Sequence, residues 1–196
     1  MGWPEPVTLA GRHATLVPLA EDHVAGLTDA VRDGEQWKLW YTAIPPPDAM
    51  AAEIERRLHL QAGGSMLPFT VLDAAGRVAG MTTYLNIEAT HRRVEIGATW
   101  YATRVQRTAL NTECKAMLLA HAFDALDCIA VEFRAHRFNT PSRRAIERLG
   151  AQLDGMLRAH QRAADGTLRD TAVYSITAAE WPTVRSHLHW QLGRAR

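Results

Sequence analysis

The chain is poor in cysteine and lysine. Of 196 residues, only Cys114 and Cys128 are cysteine and only Lys38 and Lys115 are lysine. Neither cysteine lies in a C-x-x-C, so no thiolate metal knuckle is expected, and two lone thiols suit a reducing cytoplasm. Long apolar runs are also missing. Nothing approaches the ~20 consecutive apolar residues of a membrane-spanning helix, so no membrane partner is expected. The opening MGWPEPVTLAGRHATL has neither the charged nor the apolar region of a secretory leader. Charge of one sign is lacking as well. The net charge is +1, and no basic stripe carries interleaved aromatics, so nucleic acid is not expected as a partner. Nine histidines are present, but they are scattered and form no H-E-x-x-H. His187 and His189, two apart, would not share a helix face. No metal site is expected. What remains, 47% hydrophobic and 22% charged, is one globular domain over 1–196, long enough to bury a core. Because lysine is so scarce, nearly every basic residue is arginine. That bias suits phosphate recognition but follows equally from a GC-rich coding sequence.

Glycine is missing from one place in particular. VQRTALNTECK (105–115) reads as a loop entering a helix, with Asn111 and Thr112 as expected cap residues and Ala116, Met117, Leu118 and Leu119 behind them. A helix start with free N–H groups ahead of it is an anion site. Loops that wrap phosphate usually use glycine, and here Arg107 and Thr108 stand instead.

The remaining pattern alternates strands and helices. RHATLVPLA (12–20) reads as a strand. Val24, Leu27 and Val31 have helical spacing. EQWKLWYTAIPPP suggests a short helix and a proline-stopped loop. A helix capped by Asp48 closes on Gly63-Gly64. MLPFTVLDAAGRVAGMTTYLNIE is a hairpin turning at 73–76. RRVEIGATWYA is a strand apolar on both faces after Val94, which suits a central position in a sheet. After the loop and its helix come the strand IAVEFRAHRF and a short helix opened by Thr140 and Pro141. A hairpin around Asp165-Gly166 and a terminal helix close the chain. The order β-αα-βββ-α-β-α-ββ is an α/β mixed sheet in one domain.

That order, with VEIGATW (94–100), VQRTALNTECKAMLLAHAF (105–123), VEFRAHRFNTPSRRAIERLGA (131–151) and HQRAADGTLRDTAVYSI (160–176), resembles the GNAT acetyltransferase superfamily, in particular its RimJ/RimL-type branch. The resemblance implies central strands splayed to admit acetyl-CoA and transfer of the acetyl group to an amine in a ternary complex. The acceptor would be a protein N-terminal amine or a small molecule; a homodimer is left open. A non-catalytic acyl-CoA-binding module is the competing reading.

The family phosphate loop, Q/R-x-x-G-x-G/A, falls on Arg104, Val105, Gln106, Arg107, Thr108 and Ala109. Arg104 and Ala109 fit; Arg107 replaces the central glycine. Its Cβ either crowds the pyrophosphate or sits on backbone at negative φ, where glycine is unnecessary. The resemblance assigns the cofactor to N–H groups between Gln106 and Leu110, with Asn111 and Thr112 at the helix start and Arg107 adding charge; Asn139 holds either the pantetheine arm or the local backbone, and Arg143 either reaches the cofactor or only solvates a helix face. Glu113 is expected to point away from the phosphates. Thr99, Trp100 and Tyr101 are candidate backbone contacts for the pantetheine arm, although Trp100 fits equally as core filler.

Glu95 is the candidate general base. It sits in an apolar strand with Gly97 next on its face, where burial should raise its pKa. An ion pair with Arg93 or Arg134 is the competing role, and Glu88 is the second choice. In the family frame N-x-x-A-x-x-x-Y-x-x-x-G counted from Asn139, the tyrosine position holds Ile146. Ser142 is therefore the candidate donor to the leaving sulfur, or simply a helix-start residue. Trp37, Trp40, Tyr41 and Tyr84 are candidates for an apolar acceptor wall, with an aromatic cluster sealing the core as the alternative.

Overall fold

The structure, a computed structural model, describes residues 3–163 and 165–194. Among these residues eight strands form one sheet: β1 (Leu9–Ala10), β2 (Ala14–Pro18), β3 (Met66–Asp73), β4 (Val78–Glu88), β5 (Arg93–Tyr101), β6 (Ala130–His136), β7 (Gln152–Arg162) and β8 (Leu168–Thr177). The helices are α1 (Val24–Arg32), α2 (Met50–Ala62), α3 (Leu110–Ala120), α4 (Thr140–Glu147) and α5 (Trp181–Gly193). The spatial order is β1-β2-β3-β4-β5-β6-β8-β7. The expected α/β order holds, with a two-residue β1 added at one edge.

Two cores flank the sheet. Phe69, Tyr84, Val94 and Ile96 pack with Leu118 and Leu119 of α3 and Leu188 of α5. On the other face, Met81 and Trp100 pack with Leu27 of α1 and Ile54 of α2. Successive strand side chains alternate between the faces, so β4 sends Thr82 and Tyr84 towards α3 and Thr83 towards α2. The central β5 is buried on both sides, as its apolar run predicts.

Helix starts differ from expectation, and each difference has a local cause. Asp48 does not cap α2; it lies within a 3-10 turn, Pro47–Ala49, that leads into the helix. Asn139, not Thr140, caps α4, because its side-chain oxygen accepts from the Ser142 N–H at 3.1 Å. Asn111 and Thr112 lie inside α3, whose first N–H, that of Leu110, donates to Thr108 Oγ1 at 3.2 Å. Glu113 does face away from the loop. Its carboxylate accepts backbone N–H groups of Arg12, His13 and Ala14 at 2.9, 2.5 and 2.8 Å. A Cβ at Gly11 would stand 2.5 Å from the Glu113 carboxyl carbon, so glycine there lets the chain reach the carboxylate.

Among the described residues no helix is long and apolar enough to cross a membrane, and no group of three or more His, Cys, Asp or Glu residues could hold a metal ion.

Candidate active site

β5 and β6 are parallel neighbours for three positions only: Arg93 with Ala130, Val94 with Val131, and Glu95 with Glu132. Beyond Glu95 they part. A bulge helps to turn β5 away. Met81 pairs with Trp100 and Thr83 with Gly97, so one residue of β4 faces two of β5, and Ala98 takes a left-handed φ of 46°. The parted strands open a cleft of about 710 Å³ through the sheet. It is lined on one side by the start of α3, on another by α4, and across its far end by α2 and the β7–β8 hairpin.

Gln106, Arg107 and Asn111 bring the start of α3 to the cleft. The first turn of a helix presents unsatisfied N–H groups and about half a positive charge. Arg107 resolves the missing glycine in an unexpected way. Its φ is 59°, so the backbone keeps the left-handed bend that glycine would adopt freely, and the alternative of negative φ is overturned. A non-glycine residue there costs about 1–3 kcal/mol of local strain. Thr108 steadies the turn by donating its hydroxyl to the Val105 carbonyl at 2.7 Å.

Several residues expected at the cofactor have side chains or carbonyls engaged elsewhere in the fold. Arg104 is turned to the opposite side, donating to the Val78 carbonyl at 2.6 Å and facing Asp33 and Asp73, each 3.7 Å away. Leu110 is core. Thr112 is buried and accepts from Arg148 at 3.2 Å. Ala109 and Thr108 belong to the turn but do not line the cleft. Tyr101 lines the cleft, and its carbonyl accepts from the Gln36 and Gln106 side chains at 2.6 and 3.0 Å. The Trp100 ring is core filler against α1 and α2, although the residue borders the cleft through β5.

On the α2 face stands Glu95, 5% exposed. Burial raises its carboxyl pKa, against the opposing pull of Arg134 and of the Asn86 hydrogen bond. Asn86 donates to it at 2.6 Å and Arg134 lies 3.6 Å away. The carboxylate is therefore desolvated and also faces Arg134. The arginine is shared, because its Nε also donates to Glu132. A Cβ at Gly97 would lie 2.7 Å from Glu95 Oε1 and 2.8 Å from Leu85 Cδ1, so glycine makes the space in which this carboxylate stands. Such a group can take a proton from a neighbour. Glu88, the second choice, is exposed at the end of β4 and does not line the cleft.

The α3 face holds a group that sequence reasoning missed. Lys115, 6% exposed, lines the cleft. Its ammonium donates to Thr99 Oγ1 at 2.7 Å and Thr82 Oγ1 at 3.0 Å, and burial pushes its pKa down to about 8. One lysine among many arginines, at i+4 from Asn111 and so on the same helix face, is the signal that could have found it. Thr99, expected as a backbone contact, thus contributes its hydroxyl.

On α4, Asn139, Ser142 and Ile146 all line the cleft. Asn139 is engaged as the helix cap, and Ile146 brings a hydrocarbon where the family frame has a phenol. Arg143 does not line the cleft; it donates to the Tyr174 hydroxyl at 2.8 Å and the Arg137 carbonyl at 3.2 Å.

The aromatic candidates divide. Tyr41 lines the cleft. Trp40, 60% exposed, stands over its rim, edge-on to His136 at 5.0 Å and to Tyr41 at 5.5 Å. Trp37 packs on the α1–α2 core. Tyr84 is fully buried, its hydroxyl donating to the Leu118 carbonyl at 2.6 Å, and is no part of a wall.

Residues 13–152 match the family model described as Acetyltransferase (GNAT) domain. No curated protein sequence matches the chain. Among solved structures, a GCN5-related N-acetyltransferase from Brucella melitensis is 32% identical with a TM-score of 0.85, over 97% of this chain and 87% of that one. Mycobacterium smegmatis RimJ, solved in complex with CoA-disulfide, is 25% identical with a TM-score of 0.80, over 100% and 99%. A ribosomal-protein-S5-alanine acetyltransferase from Vibrio fischeri shares the fold with a TM-score of 0.71 at 13% identity, over 89% and 98%.

Proposed function

The chain belongs to the GNAT acetyltransferase family, and from that premise we propose that it moves the acetyl group of acetyl-CoA directly to a primary amine held in the same cleft. The observation that carries this reading is the parting of β5 and β6 immediately after Glu95, which leaves a buried carboxylate beside a passage through the sheet. The residues suit the cofactor. The start of α3 and the Arg107 guanidinium meet the needs of a diphosphate, and an extended arm fits between the parted strands.

Bound acetyl-CoA supplies a thioester carbonyl already activated for attack. Everything else is the chain's work. Arg107, with the N–H groups opening α3, holds the phosphates. Glu95 takes the proton that the attacking amine must lose. Ser142 offers its hydroxyl from the first turn of α4 to the departing sulfur. A thiol pKa of about 8.5 makes thiolate departure feasible without a strong acid, so the phenol missing at Ile146 does not block the reaction.

Release of free CoA thiol on addition of a panel of primary amines tests the proposal. Amine-dependent release above the hydrolysis rate is expected. None with any amine, alongside intact acetyl-CoA binding, would leave an acyl-CoA-binding module. Arg107→Ala is expected to raise the acetyl-CoA Kd about tenfold, with a weaker salt dependence because one phosphate contact is gone. Isothermal titration at two ionic strengths reads both. An unchanged Kd would remove Arg107 from the cofactor site.

A further inference from the structure

The acceptor end of the cleft has a charge pattern that general amine chemistry does not require. Three arginines line it: Arg57 from α2, Arg134 from β6 and Arg169 from β8. Two are already engaged. Arg57 donates to Glu53 and to Thr83 Oγ1, each at 2.7 Å. Arg134 serves Glu132 and Glu95. Arg169 is different. Its side chain makes no hydrogen bond or ion pair with any described residue, and its Nε is buried without a partner. Its guanidinium nevertheless lines the cleft on the sheet face that carries Glu95, because Glu95 is level with Glu132, and His136, four residues on along β6, pairs with Thr171, two residues from Arg169. The two charges lie within electrostatic reach of each other. The terminal N–H groups, engaged by no described residue and not among the buried atoms, are left for a ligand in the cleft, and the planar fork of a guanidinium matches a carboxylate through two parallel bonds.

We infer that the acceptor is a primary amine that carries a carboxylate in the same molecule, its carboxylate held by Arg169 while its amine meets Glu95. This rests on the acetyl-transfer reading above and adds the acceptor's chemical class. The opposed charges of Glu95 and Arg169 complement the ammonium and carboxylate of an amino acid. The same carboxylate could also come from an acidic residue at a peptide's N-terminus.

The test uses acceptor twins that differ only in that group: amino acids against their α-amides, and peptides beginning with aspartate against those beginning with asparagine. Thiol release is measured with the wild type, Arg169→Gln and Arg169→Lys, and acetyl-CoA affinity is measured beside it. In whichever scaffold is acetylated, the carboxylate twin should show kcat/KM at least about tenfold above its neutral partner. Arg169→Gln should abolish that preference mainly through KM, with acetyl-CoA affinity kept, and Arg169→Lys should retain part of it. Neutral twins used equally well, or a preference that survives Arg169→Gln, overturns the inference while leaving acetyl transfer intact. No release with any amine overturns both.

Discussion

Glu95→Gln is expected to lower kcat for amine acetylation about a thousandfold, within the usual worth of a positioned general base, while acetyl-CoA affinity is unchanged. The substitution keeps the shape of the side chain and can keep a hydrogen bond with Asn86, but it removes the only atom pair able to take the amine's proton at that position. The expected loss is not a loss of folding. Burial raises the folded-state pKa of Glu95. A carboxyl raised in the folded state favours folding at low pH, and that advantage is lost as pH rises through the folded pKa. Above its folded pKa the ionised group is therefore a liability, and there a neutral glutamine should leave the melting temperature level or slightly higher. Arg134 loses one partner but retains Glu132. The wild-type rate should rise with pH as Glu95 ionises, and that limb should be missing from the variant's residual activity. Steady-state rates across pH, with acetyl-CoA affinity by calorimetry, separate the outcomes. An unaltered kcat takes Glu95 out of the chemistry.

Much of this site was legible from the sequence because it follows from backbone rules. The apolar run after Val94 marked β5 as central, and its parallel neighbour requires a crossover, which is α3. Glu95 in that run was bound to be desolvated on either reading. Side-chain direction in loops and first turns was not legible. Arg104 fits the loop pattern by spacing yet is drawn to Asp33 and Asp73, residues brought close only by the folded sheet. Arg143 is drawn to Tyr174 in the same way. Thr140 and Asn139 are both good cap residues, and spacing alone does not choose between them; the Asn139 oxygen reaching the Ser142 N–H does. The left-handed φ of Arg107 could not be read at all, since nothing in the residue announces that a turn will force a conformation it disfavours. Arg169 was invisible for the opposite reason. It sits in an exposed-looking hairpin sequence, and only the pairing of β8 with β6 carries it to the cleft.

Lys115→Met should stabilise the protein, and by more than a surface change could. The ammonium is buried beneath the cleft with two threonine hydroxyls for partners and no ion pair among the described residues. Burial lowers its pKa from 10.5 to about 8, and a difference of about two and a half units at ~1.4 kcal/mol each corresponds to about 3 kcal/mol of unfavourable charge burial. The sign follows from proton counts. Well below pH 8 lysine is protonated in both states and the penalty is complete. Between about 8 and 10.5 the unfolded chain binds more protons than the folded one, so stability climbs with pH and the penalty fades. Methionine has a similar length and no charge to desolvate. It leaves Thr82 and Thr99 without their nitrogen partner, but those hydroxyls already bond each other at 2.8 Å, so the offsetting loss is about 1 kcal/mol. The net gain at pH 7 is then about 2 kcal/mol, or roughly 4–8 °C in melting temperature for a domain of this size. Thermal unfolding at pH 7 and near pH 10 checks the argument, because the variant's advantage must shrink at the higher pH. A gain equal at both values, or a variant that melts earlier than the parent at pH 7, would show that Lys115 is held in the fold by something stronger than two hydroxyls.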